Sequence, residues 1–155
     1  MFNRLTIGEK IASVSALVLL ASTFLDWFKL EIPESLEINY FSDGSGQSAW
    51  TALGFVPVVL MVAVGIVLIV AAMRLAGTGS GRAGDALVAV AGTVAAVLIL
   101  FRIIDPPAGA SFEGAFGQMA AAELAVAFGI FLGLVAAVGI AVGGAVSLRE
   151  DSGRK

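Results

Sequence analysis

The chain has 155 residues and a formal net charge of −3; 59% of it is hydrophobic and 14% charged, and its mean hydropathy is +0.99. Soluble domains average about 45–50% apolar and about 25% charged residues, so the composition excludes an ordinary soluble globule and a disordered chain, and an acidic balance without a basic patch excludes nucleic acid as a partner. With neither Cys nor His, disulfides, thiolate or imidazole metal sites and the usual nucleophile–base pairs are also excluded, and no cofactor or metal is expected.

Four apolar runs follow one another, each near the ~20 residues that cross a bilayer as a helix. They predict one all-α membrane domain over residues 1–155, with spans at about 7–28, 50–73, 86–104 and 120–148. The first span opens on a capping box, Thr6 with Glu9 three residues on, and Lys10 can snorkel to the headgroups. Arg4 and Lys10 ahead of an apolar stretch and Ala21-Ser22-Thr23 also have the look of a signal peptide, but the apolar run continues through Trp27-Phe28, which favours an uncleaved span. Ser15, Ser22 and Asp26 fall on one face of this helix.

The outer loop at 29–49 alternates Leu30/Ile32 and Leu36/Ile38/Tyr40 with polar residues, and Pro33-Glu34-Ser35 can turn between them, so a small β-hairpin is expected there. Its acids Glu31, Glu34, Glu37 and Asp43 have no calcium-loop spacing and read as a solvated cap. In the second span Pro57 either kinks the helix or marks its start. The connection at 74–85 contains Gly79-Ser80-Gly81-Arg82-Ala83-Gly84, formally G-x-G-x-x-G; with a membrane helix before it instead of a strand, it reads as a flexible glycine turn. Asp85 stands where the third span needs an N-cap, and Pro106-Pro107 ends that span. The outer loop at 105–119 places Phe112 and Phe116 four apart, as two anchors on an interfacial turn.

The fourth span holds Ala121, Ala125, Gly129, Gly133, Ala137, Ala141 and Ala145 at a strict spacing of four. Small residues let helix backbones approach closely. This stripe packs the helix within its own bundle, against Gly92 and Ala96 of the third span, or presents an interface to a second copy or a partner. Steps of four drift by about 40° on a 3.6-residue helix, so the row winds round it.

Seven basic residues (Arg4, Lys10, Arg74, Arg82, Arg149, Arg154, Lys155) flank one side and two (Lys29, Arg102) the other. The positive-inside rule therefore expects both termini in the cytoplasm of a multi-pass cell (cytoplasmic) membrane protein. Trp27, Trp50 and Tyr40 then fall at the outer boundary as interface anchors. Asp26 and Arg102 share one depth just inside that boundary, with Asp105 and Glu123 slightly above. They form a candidate outer polar cluster in which Asp26 and Arg102 pair.

In layout the chain resembles the uncharacterised small four-span integral membrane proteins of actinobacterial type. The likeness rests on Leu25-Asp26-Trp27-Phe28 closing the first span, Ser48-Ala49-Trp50 opening the second, Arg102 with Asp105-Pro106-Pro107 ending the third, and the glycine-rich fourth. It implies an antiparallel four-helix membrane bundle and brings no catalytic residues with it. Since no ionisable residue reaches mid-membrane, the expected function is non-enzymatic: an accessory or scaffold protein in the lipid bilayer that binds itself or another membrane protein. The alternative is a small-solute or ion transporter or channel subunit whose outer vestibule lies near Asp26 and Arg102. A membrane enzyme acting on a headgroup through Asp26, Asp105 or Glu123 is the least favoured reading.

Overall fold

The computed structural model describes residues 5–31, 46–52, 54–78, 81–105, 111–113, 119–121 and 123–152. Its elements are α1 (Ile7–Ser22), β1 (Asp26–Glu31), β2 (Gly46–Ser48), α2 (Ala49–Ala52), α3 (Val56–Leu75), α4 (Gly81–Ile104), β3 (Ser111–Glu113), β4 (Met119–Ala121), β5 (Glu123–Val126) and α5 (Phe128–Ser152). The chain is mostly helical. The four long helices pack in the cyclic order α1, α3, α4, α5, with the tightest interfaces made by α5 against α1 and α4.

Three of these helices, α3, α4 and α5, are long and apolar enough to cross a membrane. The expected first span is shorter than its hydropathy: α1 has 16 residues, about 24 Å at 1.5 Å per residue. Past Ser22 the backbone tightens to three-residue bonds, Phe24 N to Ala21 O and Leu25 N to Ser22 O, and side chains share the last carbonyls. Ser22 Oγ donates to Leu19 O and Thr23 Oγ1 to Leu20 O, both at 2.7 Å. Trp27 Nε1 donates to Ser22 O at 2.6 Å. Residues 26–28, expected inside that helix, instead begin β1.

The loop where a hairpin is expected contributes two strands to a sheet. β1 is the middle strand of three, antiparallel to both β2 and β5 in the order β2-β1-β5. Phe28 stands opposite Val126 and Glu31 opposite Glu123. Residues 32–45, where the hairpin's second arm was expected, lie outside the described residues. The connection between α4 and α5 also contains strands: β3 pairs with β4, Phe112 opposite Ala120. Strand pairing gives these segments backbone partners that an isolated interfacial turn would lack.

Helix starts differ from expectation for similar local reasons. Pro57 is at the first turn of α3, where a missing N–H costs nothing, so it starts the helix instead of kinking it. α4 begins at Gly81, four residues before Asp85. The segment read as a flexible turn is thus partly helix, with Gly81 at φ 57°, a conformation that favours glycine. α5 begins at Phe128, and Ala121 and Ala125 are in strands.

Side-chain size is distributed inside out. On α4 the inward residues are Val88, Ala91, Gly92, Ala95 and Ile99, whereas Leu87, Val90, Val94, Val97, Phe101 and Ile104, at steps of three and four, are all exposed. α1 turns Ile7, Ile11, Val14 and Leu17 outward, and α5 turns Phe128, Phe131, Val135, Val138 and Val142 outward. In water so large an apolar surface would aggregate; facing hydrocarbon it is at no disadvantage, and small inward residues let the helices close.

Candidate functional site: a buried charge cluster at one end of the bundle

The start of α1, the end of α3, the start of α4 and the end of α5 meet at one end of the bundle. Two glycine contacts bring them there. A Cβ at Gly8 would collide with Gly143 O and Ser147 of α5, and a Cβ at Gly144 would lie 2.5 Å from Ala89 N of α4. With both neighbours drawn onto α5, Glu9 and Asp85 turn inward and are 5% and 1% exposed.

Arg74, in the last turn of α3, reaches both. Its Nε lies 2.9 Å from Glu9 Oε1 and its Nη2 lies 2.8 Å from Asp85 Oδ2. The first is an ionic contact whose N–H is not directed at the oxygen; the second is a hydrogen bond. Arg74 Nη2 also donates to Gly81 O at 3.4 Å, tying down the α3–α4 turn. Glu9 Oε2 accepts from Thr6 N at 2.8 Å, and Thr6 Oγ1 accepts from Glu9 N at 3.2 Å. The predicted capping box is therefore present. Thr6 Oγ1 and Ser147 Oγ are 3.1 Å apart, which links the cap to α5.

Beside these groups a cavity of ≈ 10 Å³ is lined by Glu9, Ser13, Asp85, Val67, Gly144 and Ser147 among others. Ser13 Oγ is enclosed without a hydrogen-bond partner.

Sequence reasoning found the members without the cluster. Glu9 was placed only in the cap, Arg74 only as a marker of orientation. Asp85 was expected to cap α4 but is inside its second turn and pairs with Arg74. A usable signal existed: Arg74 and Asp85 flank a short turn between two apolar helices, and opposite charges so placed can meet across it.

The expected outer cluster is differently arranged. Asp26 is exposed at the head of β1, Arg102 is half-buried near the end of α4, and Asp105 is exposed beyond it. Glu123 opens β5. Among the described residues the ion pairs are the two made by Arg74, and none joins Asp26 to Arg102. The expected pair fails because α1 ends at Ser22, so Asp26 does not continue the helical face of Ser15 and Ser22. Of the interface anchors, Trp27 is enclosed by protein. Trp50 is exposed and pairs with Phe24 at 6.5 Å between ring centroids. Tyr40 lies outside the described residues.

The small-residue stripe winds as its spacing requires. A Cβ at Gly129 would lie 2.5 Å from Asp26 O, and one at Gly133 2.9 Å from Trp27 Cζ2. Ala137 is fully buried, Ala141 meets Gly92 of α4, and Ala145 is exposed.

No family model matches the chain, and no curated protein matches it in sequence.

Proposed function

We propose that this chain is a four-span integral membrane protein of the cell membrane, with both termini cytoplasmic, that acts without catalysis as an accessory or scaffold. It binds itself or another membrane protein. The observation that carries this reading is the apolar interior: from Ala12 and Ala16 of α1 through Leu60 and Val64 of α3, Ala95 of α4 and Ile140 of α5, the middle of the bundle is one hydrophobic cluster. Charged groups gather at the ends. Such an interior favours action through outer surfaces over passage of a solute, which needs polar groups near mid-membrane. The fourth span in this reading is α1, supported by its outward apolar face and by the packing of α1 on α5.

Crosslinking in the native membrane at endogenous expression, followed by isolation in nanodiscs, tests this function. The expected result is a specific neighbour, a second copy or another membrane protein, retained through purification. A monomer with no retained neighbour refutes it, and a solute flux in reconstituted vesicles would establish the transporter reading instead. Cysteines placed singly at residues 4 and 154 test the topology; they are expected to be protected from impermeant reagents in intact cells.

A further inference from the structure

We infer that the outward faces of α3 and α4 form a docking surface for a second copy of this chain, in which Gly65 of α3 receives Thr93 of α4 from the other copy. The inference rests on the reading above, that the chain spans the membrane and binds itself or a neighbour; it names the partner and the face. The argument begins with what one copy leaves unused. Gly8, Gly92, Gly143 and Gly144 each sit so close to a neighbouring helix that a Cβ there would collide with its backbone. Gly65 differs: a Cβ there would meet nothing within 4 Å. Glycine weakens a helix, and no contact within one copy uses the space that it leaves. Val62 and Ile69, three residues before it and four after, are exposed, so the notch opens outward.

Thr93 is the second observation. Throughout α3, and from Ala83 to Ile104 of α4, it is the one exposed residue with a polar side chain. Its Oγ1 donates to Ala89 O at 2.8 Å, which uses its proton and leaves the oxygen free to accept. Notch and hydroxyl are level with each other. Arg74 Nη2 holds Asp85 at 2.8 Å, which gives α3 and α4 a common origin. Gly65 is nine residues from Arg74, about 14 Å along α3, and Thr93 is eight from Asp85, about 12 Å along α4. Two copies inserted in the same sense are related by an axis along the membrane normal, so groups of equal depth meet across it. A two-fold axis beside α3 and α4 lays α3 of each copy against α4 of the other. Thr93 then enters the notch at Gly65 twice, once in each direction. The glycine lets the backbones close, and its Cα–H groups are weak donors to the Thr93 oxygen. The outward row of α5, Phe131, Val135, Val138 and Val142, has neither a notch nor a hydroxyl.

The chain has no cysteine, so introduced ones report without background. Two differently tagged full-length versions, one with Val62→Cys and one with Val97→Cys, are co-expressed and oxidised in native membranes. Positions 62 and 97 lie about one turn from Gly65 and Thr93, on the side away from Arg74 and Asp85. The expected result is a disulfide-linked dimer carrying both tags, whereas Val138→Cys in both versions gives none. Gly65→Leu displaces nothing in its own chain and should abolish the crosslink with helical content retained. Thr93→Val keeps the shape, removes the hydroxyl and should weaken association about two- to fivefold. Absence of the mixed dimer, its survival in Gly65→Leu, or no change in Thr93→Val overturns the inference. A dimer crosslinked through Val138→Cys, or capture of a different membrane protein without a second copy, overturns it while leaving the accessory or scaffold function intact. A chain with no neighbour at all leaves the face to lipid and refutes both.

Discussion

Gly143→Ala adds a single methyl at the closest approach of α1 and α5. The new Cβ would lie 2.6 Å from Gly8 O, 2.7 Å from Ala12 N and 2.9 Å from Ala12 Cβ. Two of these three atoms are backbone and the third is fixed to it, so no side chain can rotate away. To reach an ordinary contact of 3.4 Å the helices must part by about 0.8 Å. A gap of that size forfeits about a quarter to a half of each pair's ~0.1–0.2 kcal/mol well. Over a few dozen atom pairs the loss is about 1–3 kcal/mol, the range found for overpacked cores. The matched control is Gly65→Ala on α3, where a Cβ meets nothing within 4 Å; there the gain in helix propensity, up to about 1 kcal/mol, is unopposed. Equilibrium unfolding in mixed micelles or bicelles, followed by tryptophan emission, compares the two. If Gly143→Ala unfolds at the same denaturant midpoint as Gly65→Ala, the close approach of α1 and α5 does not support the fold and the reasoning fails.

Trp27→Phe should destabilise by about 0.5–1.5 kcal/mol through loss of the Nε1 bond to Ser22 O. Trp27→Ala should cost about 3–5 kcal/mol through the cavity it leaves against Gly129 and Gly133; unfolding free energies of the two variants check the ranking. Thr6→Ala removes the cap and its link to Ser147, with an expected loss of about 1 kcal/mol and faster amide exchange in the first turn of α1. Arg74→Gln leaves two enclosed acids without their cation and should lower stability by about 3–5 kcal/mol, more than either acid-to-amide change. Asp26→Asn and Arg102→Gln should be additive within about 0.5 kcal/mol in a double-mutant cycle, because the two residues do not touch.

The helical bundle was legible because hydropathy and the residues at helix ends act locally. Glu9 three residues after Thr6 is enough to start α1, and the spacing of Gly129, Gly133 and Ala137 is enough to describe a winding small-residue track. What escaped depends on contacts remote in sequence. Past the stop at Ser22 Trp27 folds back on its carbonyl, and β1 needs Val126 opposite Phe28, almost a hundred residues away. An apolar stretch through Trp27-Phe28 therefore looks like helix until its partners are known. The charge cluster escaped for the same reason: it draws on α1, α3 and α4 and is invisible from any one of them.

If α1 is the fourth span, as proposed, its shortness has a consequence for the surrounding lipid. Its 16 residues stand beside neighbours of 20, 24 and 25; although α4 opens and α5 closes on charged residues, α3 alone is longer by four residues, about 6 Å of helix. Exposed Phe24 and Leu25 in the following turn recover only part of the difference. A bilayer of uniform thickness meets that difference by thinning beside α1 or by tilting the whole bundle, and either response costs a fraction of a kcal/mol per ångström of mismatch. In that four-span arrangement the low flank would create a patch of strained lipid fixed in direction relative to the molecule. Neighbouring proteins with a similarly short side would relieve that strain by gathering there, so in the proposed arrangement the bilayer itself would guide which face is met first.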